Sequence, residues 1–416
     1  MTAWDFDTKA IHSGIDPARH QGSTSIPVYE TTSFAYDSAQ DLADVFEGKK
    51  FGYIYSRISN PTVTAFEQKI NALENGVGAI AASSGMAAIS TVLFSLTGQG
   101  DEIVFSKSLF GGTLHLFNRI LKKYGVRIRF FDPLDLEALR DAITVRTKLI
   151  FVETIGNPRL DIPDIGRMAK LAAENNIPLV VDSTLTTPYL FKAKDFGAAI
   201  VIHSSTKYIT GNGNTIGGVI VNLGNFDWQG SRDGELKAMA ESIGSDFAFL
   251  SLARRHILEN TGCCPSPFNV YLQFLGLETL SLRMERHCSN ALTLAELLKD
   301  RPEIIEVNYP GLEDDPCFET ARSQFMGKFG GLLTFKLGSR ERCFALIDNL
   351  KLVKNLANLG DAKTLIIHPA STIYHDCSKE EMAQAGVSEE LLRVSVGIES
   401  INDIIADFEQ AFKEAC

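Results

Sequence analysis

The chain lacks any cysteine spacing that would staple it or metallate it. Its seven cysteines, Cys263, Cys264, Cys288, Cys317, Cys343, Cys377 and Cys416, are odd in number, and none stands in a CxxC pair. That argues against a disulfide framework or a zinc motif and for free thiols in a reducing compartment. No apolar run is long enough to cross a bilayer, and the opening "MTAWDFDTKAIHSG" lacks the basic-then-apolar order of a secretory leader. An excess of positive charge is also missing: 40 Lys and Arg against 51 Asp and Glu leave a net charge of −11. Binding nucleic acid or an anionic membrane needs a basic face, so neither partner is expected. Internal repeats and low-complexity tracts do not occur. The expectation is a cytoplasmic globular protein.

What is present fits that class. The 416 residues are 45% hydrophobic and 22% charged, enough for two or three domains and a large core. Residues 1–60 mix polar residues, prolines and aromatics without a sustained period, as in "STSIPVYETTSFAYDS" and "GYIYSRISNPT". Such a segment is too aromatic for a loose tail and reads as an arm that packs on a neighbouring subunit. From residue 61 to 265, short apolar runs ("VGAIAAS", "EIVFS", "KLIFVET", "IPLVVDST", "AAIVIHSST", "GGVIVN") alternate with helical patterns. Apolar strands without clean polar alternation, separated by helices, predict an α/β domain around a mostly parallel sheet covered on both faces. Residues 266–416 begin with a long helix and read as a smaller α+β domain.

Ligands of a parallel sheet bind beyond the carboxyl ends of its strands. Four such ends here are polar. "IAASSGM" places Ser84, Gly85 and Met86 at a helix start, where backbone amides suit an anion. "FVETIGNP" ends with Glu153 and Asn157, "LVVDST" with Asp182, and "IVIHSSTK" with Ser204, Ser205, Thr206 and Lys207. Singly, each reads better as a helix cap, a turn or an ion-pair partner. "GNGNTIGG" is not a P-loop, because its lysine precedes the glycines and Tyr208 follows it. Together, in one sheet, the four are harder to dismiss. A bare ammonium behind a buried strand is costly, so Lys207 is expected to be held as an imine. Pyridoxal 5'-phosphate asks for this set: a lysine for its aldehyde (Lys207), an acid for its ring nitrogen (Asp182), and a phosphate cradle (Gly85, Met86, Ser204 and Thr206).

The run "VVDST…HSSTKYITGNGNTIGG" resembles the Cys/Met-metabolism family of pyridoxal-phosphate enzymes, which includes cystathionine lyases and synthases, methionine γ-lyase and O-acylhomoserine sulfhydrylases. The similarity runs from "AIHSG" to "LRVSVGIE". It implies the aspartate-aminotransferase-type fold (fold type I) and a homotetramer, a dimer of dimers with shared active sites. It also implies roles for further residues. Tyr55 and Arg57 in "YSRISNPT" match the arm that reaches the phosphate of the neighbouring subunit. Asn157 matches the asparagine near the cofactor's phenolic oxygen. Arg393 in "LLRVSVGIE" matches the arginine that grips the substrate α-carboxylate, with Asn358 in "NLANLGD" on the same substrate side.

"GGVIVNLGNFDW", "NLANLGDAKTLIIHPAST" and the extra length between "FDW" and "SPFN" look like the sulfhydrylase branch. The implied reaction is γ-replacement: O-acetylhomoserine and sulfide, or another sulfur donor, give homocysteine and acetate in methionine biosynthesis. Lys207 is then expected to shuttle protons. Methionine γ-lyase and cystathionine γ-synthase or lyase activity are the alternatives. Phe110 in "SLFGGT" departs from the family, which has a tyrosine stacked on the cofactor there; stacking survives and the hydroxyl is gone. Asn212 replaces a usual histidine, and Ile373 and Tyr374 in "STIYHD" alter the pocket lining.

Overall fold

The computed structural model describes residues 4–415. Its larger sheet has seven strands: β1 (Gly78–Ala82), β2 (Glu102–Ser106), β3 (Arg127–Phe131), β4 (Thr147–Glu153), β5 (Leu179–Asp182), β6 (Ile200–His203) and β7 (Gly218–Asn222), in the order β1-β7-β6-β5-β4-β2-β3. Strands β2 to β6 are parallel, as the helix-interrupted apolar runs predict. Strand β7 is the exception and runs antiparallel to both β6 and β1. The reason is local. No crossover helix separates β6 from β7; residues 204–217 turn back directly, and a direct return can only pair antiparallel. That return is the stretch that carries Lys207, so it stays at the carboxyl edge of the sheet.

Alternate residues of each central strand enter different cores. Phe105, Phe151, Val180, Ile200 and Ile202 join one cluster, while Val104, Ile150, Val152, Val181 and Val201 join the other. Both faces are dry, which is why these strands show no polar alternation in sequence. The smaller sheet contains β8 (Glu306–Asn308), β9 (Leu332–Lys336), β10 (Lys354–Asn355), β11 (Leu365–Ile367) and β12 (Leu391–Ser395), in the order β10-β11-β12-β9-β8. Arg393 lies on β12 and pairs with Ile367 on one side and Thr334 on the other.

The N-terminal segment divides in two. Helix α1 (Phe6–His12) seats Ala10 in the core and lies against α3 (Pro61–Glu74), with α2 (Ala39–Phe46) between them in sequence. Lys69 of α3 donates to the Ile11 carbonyl at 3.2 Å, and Lys192 stacks its ammonium on Phe6 at 4.4 Å. Helix α1, through Ala10, and Ile26 are therefore seated on their own chain. The stretch from Val28 to Tyr55 behaves differently: Phe46 and Phe51 are exposed, Phe51 by 77%. The extra length before "SPFN" is helical, with Gly234–Ile243 and Ser245–Leu252 followed by helical turns to Thr261, and Phe249 stacks on Trp228.

Candidate active site

The polar strand ends converge on one cavity of about 320 Å³. Helix α4 (Gly85–Leu96) supplies its first wall. Ser84 caps this helix by accepting from the Ala87 amide at 3.0 Å, and the amides of Gly85 and Met86, first in the helix, have no helical carbonyl to bond. A side chain at Gly85 would place its Cβ 2.6 Å from the Cβ of Ser204, and one at Gly218 would strike the Ser84 carbonyl. The helix start is thus pressed against the Lys207 loop because both contact points are glycine. Thr206 ties the loop back to β7, exchanging hydrogen bonds with Gly217 at 3.0 and 3.1 Å. Ser204 and Thr206 line the cavity, whereas Ser205 turns away and donates to buried Gln273 at 2.7 Å.

Lys207 donates to the Asn358 side-chain oxygen at 2.6 Å. Burial pulls its pKa down to about 8, and the like charge of Arg393 adds to the effect. Asp182 ends β5 and accepts from the Thr184 amide at 2.9 Å; burial raises its pKa, opposed by Thr184 and by the charge of His203. Directly opposite in register stands Glu153 at the end of β4. Burial, and then the neighbouring Asp182, push the Glu153 carboxyl well above the usual range. It accepts the Phe110 amide at 2.6 Å and fixes the start of α5 (Gly111–Arg119). Phe110 lines the mouth and is 44% exposed.

Arg393 is buried, and burial lowers its pKa to about 10. One terminal nitrogen donates to the Asn157 side-chain oxygen at 3.1 Å and the other to the Asn358 carbonyl at 3.2 Å, while Nε has no partner. Among the described residues, neither Arg393 nor Lys207 has a carboxylate partner. Two buried basic groups in one cavity, neither of them ion-paired, mark a site for an anionic ligand.

Ten of the twelve residues assigned a catalytic, cofactor or substrate role from sequence line this cavity: Gly85, Met86, Phe110, Asn157, Asp182, Ser204, Thr206, Lys207, Asn358 and Arg393. Tyr55 and Arg57 do not. Tyr55 is 39% exposed, and Arg57 donates to the Glu259 carbonyl at 2.6 Å with its guanidinium over the Tyr55 ring. Sequence reasoning named Glu153 without giving it a role, although an acid ending an apolar strand is the same signal that singled out Asp182. It missed the buried pair of His203 and Glu74, 2.6 Å apart behind the loop.

A sheet of this topology, with a lysine at its carboxyl edge, an acid one strand away and helix amides beside them, defines a lysine-anchored aldehyde-cofactor enzyme of fold type I. The chain belongs to the Cys/Met metabolism PLP-dependent enzyme family, whose model matches residues 7–413. It is 39% identical over 423 residues to the O-acetyl-L-homoserine sulfhydrylase of Corynebacterium glutamicum, covering 98% of this chain and 97% of the relative. It is 42% identical over 421 residues to O-acetyl-L-homoserine sulfhydrylase 1 of Thermus thermophilus, covering 98% and 99%. The L-methionine gamma-lyase of Fusobacterium nucleatum is 39% identical over 409 residues, covering 98% of each. Among solved structures, a chain assigned as O-acetylhomoserine (thiol)-lyase from Campylobacter jejuni superposes with a TM-score of 0.90 at 33% identity, covering 99% of this chain and 100% of that one. That structure carries pyridoxyl-lysine monophosphate. The present residues fit the same group: the glycine contacts leave the α4 amides open to a phosphate, Asp182 is within the cavity, and Lys207 has no acid to neutralise it.

Proposed function

We propose that the chain catalyses γ-replacement on O-acetylhomoserine, with sulfide entering and acetate leaving to give homocysteine. The observation that carries this reading is the pair of buried basic groups without ion-pair partners, Lys207 and Arg393, in one cavity of a chain about 40% identical to sulfhydrylases over nearly its whole length. When bound, pyridoxal phosphate supplies an electron sink for the substrate's α-carbon. The chain's residues do the rest. Gly85, Met86, Ser204 and Thr206 hold the phosphate, and Asp182 keeps a proton on the ring nitrogen. Glu153 fixes the Phe110 backbone, and the Phe110 ring at the cavity mouth would pack against the bound group and limit its contact with water. Arg393, oriented by Asn157 and Asn358, takes the substrate carboxylate with two parallel donors. Lys207, with its pKa pulled down to about 8, gives and takes protons at the α and β carbons. The γ-carbon–oxygen bond breaks with its electron pair leaving on acetate, and a carbon–sulfur bond replaces it.

Tyr55 and Arg57 serve the phosphate of a neighbouring subunit in this reading. Its support is their position outside their own cavity and the exposed aromatics of the Val28–Tyr55 stretch. The functional unit is then a dimer of dimers, and the six free cysteines among the described residues suit the cytoplasm.

Steady-state rates with acetyl-, succinyl- and phosphohomoserine, each against sulfide and methanethiol, test the proposal. Homocysteine formation from O-acetylhomoserine and sulfide is expected to dominate. Faster release of 2-oxobutanoate from methionine would establish instead the second reading, γ-lyase, which the Fusobacterium relative favours.

A further inference from the structure

Cysteine spacing gives no metal motif, yet the fold brings an imidazole, a carboxylate and a thiol together from distant parts of the chain. His115 comes from the middle of α5, and Asp376 and Cys377 come from the turn that follows Pro369–Ser371. One ligand atom from each lies within 4.8 Å of the other two. Imidazole nitrogen, thiolate sulfur and carboxylate oxygen form a mixed set suited to a zinc-class ion. His115 and Cys377 are half-buried, and among the described residues neither side chain hydrogen-bonds to any other group. Asp376 faces Arg119 at 3.4 Å, one helical turn beyond His115 on the same face of α5.

We propose that His115, Asp376 and Cys377 bind a divalent zinc-class ion that clasps α5 to the 369–378 segment across the mouth of the cavity. Bonds of about 2.0–2.3 Å to the three ligands require each atom to move inward by no more than about 1 Å, within reach of side-chain rotation. Binding transfers the Cys377 thiol proton to solvent and draws Asp376 away from Arg119. A water molecule takes the fourth position.

Both anchors of the clasp continue into the cavity wall. Helix α5 begins at Phe110, and the 369–378 segment carries Ile373 into the cavity lining and Tyr374 into a small buried cluster with Ala370 and Val387. One side of the clasp comes from the larger sheet's layer and the other from the smaller sheet's. An ion joining them ties together two walls of the cavity, and the 369–378 segment is where that restraint is read.

The test is titration of the holoenzyme with Co²⁺ in thiol-free, anaerobic buffer, read by the visible d–d bands of tetrahedral cobalt. One site per chain is expected, displaced by Zn²⁺. Cys377→Ser and His115→Ala should each weaken binding by at least the roughly tenfold that even an outer-shell partner is worth. Arg119→Ala should tighten it by removing the competing cation. The double variant Cys263→Ser/Cys264→Ser should bind as the parent does, which separates this site from the vicinal thiols. Zn²⁺ should slow hydrogen exchange in residues 369–378 of the parent and not of Cys377→Ser, with unchanged exchange elsewhere reporting an intact fold. Absence of a tetrahedral spectrum, its survival in Cys377→Ser, or unchanged exchange in 369–378 on Zn²⁺ saturation would each overturn the proposal.

Discussion

Lys207 points its Nζ at the side-chain oxygen of Asn358, 2.6 Å away, and burial, followed by the like charge of Arg393, pulls its pKa down. A lysine so placed gives up its proton far more readily than one in solvent, as a nucleophile and proton shuttle must. Lys207→Ala is expected to lower kcat by at least the roughly 10²–10⁴-fold typical of a lost general base. Borohydride treatment of the parent should fix pyridoxyl to the peptide holding Lys207, and mass spectrometry of the digest checks it.

Arg393 has a different task, and its kinetics should say so. Its fork is held by Asn157 and Asn358, and its Nε stands buried without a partner. Charge-assisted hydrogen bonds to a substrate carboxylate are the missing complement. Arg393→Ala should raise KM for O-acetylhomoserine roughly 10- to 100-fold. Arg393→Lys should recover only part of this, because an ammonium cannot present two parallel donors. Cofactor affinity, followed by absorbance during dialysis, should change little.

Much of this site was legible because strand ends are short in sequence and fixed in space. "LVVDST" and "IVIHSSTK" place Asp182 and Lys207 at one sheet edge once the strands are known to be parallel. The reversal of β7 was not legible, since "GGVIVN" reads the same in either direction; only the direct return from β6 decides it. The split of the N-terminal segment was hidden for another reason. Ala10 and Ile26 are the residues that seat it, and neither stands out among the polar residues around it. His115 and Cys377 could not be paired from sequence at all, because their proximity depends on how the two sheet layers dock.

Phe110 offers a test of leaving-group chemistry. Its amide is pinned by Glu153, so Phe110→Tyr should keep the ring in place and add a hydroxyl at the cavity mouth. Acetate leaves without much help, and a thiolate needs a proton. The variant should therefore gain on thioether substrates relative to O-acetylhomoserine. Identical kcat/KM ratios before and after the change would contradict that.

The buried Lys69 predicts a pH effect on stability. Burial lowers its pKa to about 8, despite Glu278 at 3.4 Å and the Phe274 ring face at 3.5 Å. Unfolded, the side chain keeps its proton up to 10.5. Between these values the unfolded chain binds more protons, so this group's contribution to stability rises with pH; below about 8 its full cost is present. Relative to Lys69→Met, the parent should gain Tm as pH climbs from below 8 toward 10.5, measured by calorimetry at several pH values. A constant difference would place the Lys69 pKa outside that window.

Shared active sites make a prediction that no single variant can. In the proposed dimer, Arg57 serves the neighbour's cavity while Lys207 serves its own. Arg57→Ala and Lys207→Ala homomers should both be weakly active or inactive, the first with a raised cofactor requirement. Dissociated and reassembled together in equal amounts, half of the dimers are mixed, and each mixed dimer holds one site with both residues intact. Activity should return to about a quarter of the parent's under limiting cofactor. A mixture no more active than the average of its two components would mean that Arg57 acts within its own subunit, where its guanidinium already rests on the Glu259 carbonyl at 2.6 Å.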